Sequence, residues 1–152
     1  MNISVNGEMK FSKHFKAKEF IETQGYDAKL LTNELTIAYE LPIALEKLME
    51  LLKLTVLTIS SGYRTLAQEN DLGRRGYLTV GENSQHVKGT AVDCPLRHFS
   101  KYTVQQVVDA AIQSGFKGIG VYNWGYHFDV RVAQKVAFWD ERTKKTPITI
   151  KN

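Results

Sequence analysis

"GIGVYNWGYHFDVR", residues 118–131, holds two short runs that read as strands, and the second decides how the rest of the chain is read. In an extended chain successive side chains point to opposite faces. Tyr126, Phe128 and Val130 therefore share one face, and His127, Asp129 and Arg131 share the other. The first set is apolar and is expected to face a core. The second is a row of ionisable groups, where an ordinary half-exposed strand carries Thr, Lys, Ser or Glu.

The same alternation in "GTAVDCP", 89–95, separates Gly89, Ala91 and Asp93 from Thr90, Val92 and Cys94. Asp93 thus ends a row of very small residues. The space above such a row suits a metal, a substrate or a closely packed helix. The preceding loop, "SQHVK", adds His86. Catalytic zinc commonly takes three His or carboxylate ligands and leaves a fourth position to water, and it lowers the pKa of that water to about 7. His86, Asp93 and His127 are a candidate set. Spacing alone leaves open whether they form a site, since the chain has no HExxH or CxxC motif. The donor types also admit other first-row metals.

Around these segments the pattern is α+β. "AKEFIET", 17–23, reads as a short helix, and 28–54 as a longer helical stretch divided at Pro42, or with Pro42 at the first position of its second half. "TVLTIS", 55–60, is β-branched and reads as a strand. "TLAQENDL", 65–72, reads as a helical turn or two, and 73–83 as a Gly-containing loop. "TVQQVVDAAIQSG", 103–115, is an amphipathic helix with Thr103 at its cap and Gly115 past its end. "KVAFWD", 135–140, is a last strand. The expected fold is a small antiparallel sheet with helices packed on one side. It forms one domain over 1–152, with a core from about 11 to 140. The basic segment "ERTKKTPITIKN", 141–152, is expected to be a solvated tail.

Composition adds bounds. The 152 residues suffice for one core, and 43% hydrophobic with 24% charged residues is ordinary for a globular chain. No apolar run approaches the roughly 20 residues that span a bilayer, so no integral membrane segment is expected. The first 15 residues lack the apolar stretch of a secretory signal. Synthesis in the cytoplasm is expected, with action at the cell wall only after release or within a virion. The single Cys94 reads as a buried structural thiol. A net charge of +4 favours anionic partners weakly. No nucleic-acid motif supports that reading further, and nucleic acid is not an expected partner.

"SGYRT" at 61–65, "SQHVKGTAVD" at 84–93 and "GIGVYNWGYHFDVR" at 118–131 occur in the order and approximate spacing of the M15 zinc peptidases. The chain resembles the D-alanyl-D-alanine carboxypeptidase-like branch of that family, and "FSKHFKAKEF" at 11–20 resembles its opening. The resemblance implies the antiparallel-sheet fold shared with other peptidoglycan peptidases and the hedgehog signalling domain. It implies one zinc ion held by His86, Asp93 and His127. It places Arg64 next to the substrate, where a guanidinium can stabilise a developing oxyanion. Ser84 is the accompanying substrate-binding candidate, and Tyr63 reads as packing.

The chain departs from the family at one position that matters. Better-known members carry an acidic general base three residues before the last zinc His, and here that residue is Trp124. Asp129 is the nearest replacement, with its Cβ roughly 6.5–7 Å from that of His127 on the same strand face. It is expected either to act as the base or to orient a ligand; Glu82 is an outside candidate. Arg74 and Arg75, in a longer and more charged loop than the family's, read as a solvated tip. The expected function is a monomeric zinc peptidase that cuts peptidoglycan stem peptides, at D-Ala-D-Ala or at an L-Ala-D-Glu-type bond. A lytic or tail-associated phage or prophage enzyme suits the missing signal. The rival is a non-catalytic wall-binding module that keeps the fold.

Overall fold

The alternating strand at 125–129 lies in the middle of the sheet, with its apolar face against the helices. A computed structural model describes residues 2–4, 8–22 and 25–152. Strand β1 (Asn2–Ser4) pairs antiparallel with β2 (Glu34–Thr36). Helix α1 (Glu40–Leu51) and helix α2 (Leu66–Arg74) follow, then β3 (Ala91–Pro95), helix α3 (Val104–Ser114), β4 (Gly118–Tyr122), β5 (Gly125–Asp129) and β6 (Ala137–Asp140). The main sheet has the order β3-β5-β4-β6. Strands β3, β5 and β4 form the expected antiparallel sheet, and β6 extends it as a parallel neighbour of β4.

Register turns the sequence alternation into two faces. One cross-strand row runs Val92, Phe128, Ile119, Phe138, and its first three members are fully buried. Tyr126, stacked on Phe128 at 5.6 Å, extends this apolar face. Leu41, Leu45 and Leu48 of α1 and Val107, Val108 and Ala111 of α3 belong to the same core, at the three- and four-residue steps that keep one helix face inward. Each fully buried side chain of this size contributes about 1.5–3 kcal/mol relative to exposure. Cys94 is buried in this core, as a structural thiol should be.

The rows on the other face are different. One runs Asp93, His127, Gly120, Trp139 and the next Ala91, Asp129, Gly118, Ala137. Functional side chains thus alternate with very small ones across the strands. The glycines are required by close approach: a Cβ on Gly118 would stand 2.1 Å from Asp129 Oδ2, and one on Gly120 would stand 2.4 Å from Trp139 Nε1.

The helical boundaries at 65–74 and 103–115 are set by their caps. Thr65 and Thr103 each accept from the backbone three residues on, at Gln68 and Gln106, whose side chains bond back. Gly115 closes α3 in the left-handed region at φ 107°, where a side chain is strained.

Four expectations change in the folded chain. Residues 28–39 are not helix: a 3-10 turn at Ala28–Leu30 leads into β2, because Leu35 and Ile37 bury on alternate positions. Pro42 falls in the first turn of α1, where a backbone N–H has no helical partner to lose. The short helix expected at 17–23 is a 3-10 helix, Ala17–Phe20; Thr23, its expected last residue, lies outside the described residues. The expected strand at 55–60 is irregular. It hugs β3 at its end, where Ser60 N–H donates to the Asp93 carbonyl and Asp93 N–H donates to that of Ser61.

The basic segment 141–152 is largely exposed, as expected, but it is pinned to the body of the protein. Ile148 and Ile150 pack against the core, and Thr149 makes two backbone bonds to the Gln105 amide. Arg142 clamps Asp140 with two bonds. The Lys and Thr residues around the two isoleucines concealed their alternation.

Gly118→Ala tests the small-residue row. Displacing Asp129 is expected to cost about 1–3 kcal/mol, the usual penalty for overpacking, read as a lower denaturant midpoint. An unchanged midpoint would remove the steric argument.

Candidate metal centre and active-site cleft

Three ligand atoms, one each from His86, Asp93 and His127, lie within 4.8 Å of one another. Asp93 and His127 are paired across β3 and β5. His86 comes from the loop that is tied down at Gly89, whose carbonyl accepts from Ala38 N–H at 2.8 Å. Gly89 has φ 72°, and a Cβ there would meet the Thr36 carbonyl at 2.0 Å. Only glycine allows that loop to seat so closely on residues 36–38.

The donor set fits a small tetrahedral metal ion. His86 Nδ1 donates to the Gly62 carbonyl at 2.8 Å, which leaves the Nε2 lone pair facing Asp93 Oδ1 at 3.3 Å. His127 Nδ1 stands 3.0 Å from the same oxygen. Ligand atoms about 2.1 Å from a tetrahedral centre lie roughly 3.4 Å apart, so both edges have a suitable length. His127 Nε2 is held at 2.8 Å by Asp129 Oδ2. Both rings therefore have the outer nitrogen engaged and the inner one directed inward, as metal-binding imidazoles require.

Asp129 is fully buried. Its Oδ1 accepts from Arg131 N and Nε at 3.1 and 2.7 Å. Its Oδ2 accepts from Arg131 Nη2 at 2.6 Å and from His127. A carboxylate has about four acceptor sites, and all four are filled. This carboxylate also lies across the imidazole from the nitrogen that faces Asp93. A group taking a proton from a nucleophile in the cleft needs a free lone pair and access to it, and Asp129 has neither.

His86, Asp93 and His127 open onto a cleft of about 670 Å³, which Arg64, Ser84 and Arg131 also line. Glu82 is not among its lining residues. Arg64 is nearly enclosed: Nη1 bonds Glu69, Nη2 donates to Ser61 Oγ at 3.1 Å, and Nε stands 3.4 Å from Glu22. Glu69, 2% exposed, also accepts from Val80 N–H at 3.3 Å. It thereby ties the guanidinium to the loop forming the cleft's outer wall. Arg75, expected at a solvated tip, lies over both Tyr26 and Tyr77, 5.3 and 5.7 Å from their ring centres.

Sequence reasoning missed several residues here. Glu22 and Glu69 carried no motif, and their role depends on where Arg64 folds. Tyr122 and Trp139 read as strand aromatics, although the Gly118–Gly120 spacing was a signal that something bulky lay over β4. Tyr122 stacks on Trp124 at 4.6 Å, and its hydroxyl accepts from Trp139 Nε1 at 2.7 Å.

Electrostatics follow the geometry. Burial works against charge on Asp93, but His86 and His127 outweigh it and hold its carboxyl well below the usual range. Burial likewise opposes the Asp129 charge, and Arg131 and His127 bring its pKa down to about 2. His127 is pushed up to about 9, because its bonds to Asp129 and Asp93 outweigh burial.

The family model described as Peptidase M15 matches residues 13–129. No curated protein matches the chain.

In protein stripped of metal, the His127 imidazolium is stabilised in the folded state alone. That contribution is full below about pH 6.5, the unfolded value, and is lost as pH rises through about 9. A metal at Nδ1 must displace this proton. Zinc affinity is therefore expected to rise about tenfold per pH unit between roughly pH 7 and 9, with proton release visible by calorimetry in buffers of different ionisation enthalpy. A flat affinity would exclude Nδ1 as a ligand.

Proposed function

The chain belongs to the Peptidase M15 family, and from that premise we propose that it is a zinc peptidase acting on peptidoglycan stem peptides. The observation that carries this reading is the convergence of His86 Nε2, Asp93 Oδ1 and His127 Nδ1 on one point at the base of a cleft. The locked outer nitrogens support it. When bound there, zinc polarises a scissile carbonyl and makes water nucleophilic near neutral pH.

The chain's own residues have separate tasks in this reading. His86, Asp93 and His127 hold the ion. Asp129 orients His127 and keeps its Nε2 protonated, so Nδ1 remains the ligand. Arg131 neutralises Asp129 and seals it from water. Arg64, aligned by Glu22 and Glu69, presents guanidinium N–H donors at the cleft edge, and Ser84 lines the same cleft. Stem peptides offer carbonyls and carboxylates to both. The bond cut is D-Ala-D-Ala or an L-Ala-D-Glu-type bond.

One observation favours a second reading, a wall-binding module without turnover. Trp124 stands where a base is expected, and Asp129 and Glu69 are fully engaged by protein groups.

Digestion of purified muropeptides by the zinc-loaded protein, followed by mass spectrometry, separates the two. The peptidase reading expects new peptide termini, and their masses identify the bond. Binding without cleavage would establish the module. His86→Ala is expected to lose both metal and cleavage. Asp129→Asn is expected to weaken zinc binding about 10–100-fold but to regain cleavage at saturating zinc. Cleavage that stays lost at saturating zinc would restore a proton-transfer role to Asp129.

A further inference from the structure

We infer that the Tyr122 hydroxyl is a catalytic hydrogen-bond donor, directed at the carbonyl oxygen that becomes anionic as the peptide bond is attacked. This rests on the peptidase reading and adds a residue to it.

The placement comes from the sheet. Tyr122 shares the site face of β4 with Gly120 and Gly118, and Gly120 pairs directly with His127. Trp139, paired with Gly120 from the other side, lies over the space the glycine leaves, with Nε1 2.4 Å from where a Cβ would stand. Its ring centre is 5.2 Å from that of His127. From this position Nε1 donates to the Tyr122 hydroxyl at 2.7 Å. Trp139 therefore bridges the His127 ring and the phenol on one wall of the cleft. Tyr122 lines the same cleft as all three ligands.

The bonding pattern leaves the phenol with one thing to give. Its oxygen accepts from Trp139, and its own proton has no acceptor among the described residues. Arg64, by contrast, is already committed to Glu69, Ser61 and Glu22, and two carboxylates offset its charge. Burial outweighs the Trp139 bond and, with Asp93 and Glu141 nearby, keeps the Tyr122 phenol above its ordinary pKa. It thus stays a neutral donor across the working range.

As hydroxide, its proton already released to solvent, forms a bond to the carbonyl carbon, the C=O π pair moves onto the carbonyl oxygen, which carries the negative charge. The phenol O–H donates to that oxygen without losing its proton. A preoriented donor of this kind acts on the transition state more than on the ground state. Stacking on Trp124 at an interplanar angle of 17° fixes the ring, so the donor needs no reorganisation.

The test is Tyr122→Phe in the zinc-loaded protein, which keeps the ring and its stacking. Against a stem peptide that the wild type cleaves, kcat is expected to fall about 10²–10³-fold. KM, zinc content and melting temperature should stay near wild type. Affinity for a phosphinate peptide, which mimics the tetrahedral state, should fall by the same factor as kcat/KM. Trp139→Phe, which removes the N–H that holds the hydroxyl, should lower kcat with KM spared. A Tyr122→Phe protein with wild-type kcat and phosphinate affinity overturns the inference while the peptidase reading stands. A zinc-loaded wild type that cleaves no stem peptide overturns both.

Discussion

The carboxylate of Asp129 is the constraint on which the site depends. It is a buried charge, and removing an ion from water costs several kcal/mol unless the surroundings replace its hydration. Arg131 supplies three donors and His127 a fourth. Satisfying Asp129 therefore fixes the rotation and tautomer of His127 and the path of the chain beyond β5. Ala91 and Gly118, its neighbours on either side of the ladder, leave the room it occupies. The sheet is shaped around one anion, and the geometry of His127 follows.

A second buried network repeats the principle on the other wall. Arg64 sits between Glu22 and Glu69, and Glu69 reaches on to Val80. A solvated Arg would sample many rotamers; this one is held at the cleft edge by opposite charges. Its local charge is more than offset, so its value to a reaction is directional. On the reading proposed above, the cationic character of the cleft comes from an ion held by the two histidines and Asp93. The aromatic group Tyr122, Trp124 and Trp139 completes the wall with stacked faces and one oriented hydroxyl.

Much of this was legible in the residues. Alternation in 125–130 and 89–95 assigned the two sheet faces correctly, since a period of two is a local property of extended chain. Capping residues located α3, because a cap is satisfied within four residues. Legibility failed where the partner was distant. Residues 34–36 form a strand because residues 2–4 pair with them, and 148–150 pack because α3 presents Gln105 and an apolar flank. Neither partner can be inferred from local spacing.

The candidate site divides the same way. The residue types His86, Asp93 and His127, and the face each occupies, follow from chemistry and alternation that the chain carries locally. Two aspartates at the same site, Asp93 and Asp129, look equivalent as letters. Only the fold separates them, by placing one against Nδ1 of His127 and the other against Nε2. Which nitrogen faces inward, which Arg is already engaged and which hydroxyl retains a free proton are matters of hydrogen-bond saturation. Saturation depends on partners such as His127 and Asp93, brought together from 34 residues apart, and that is settled in three dimensions.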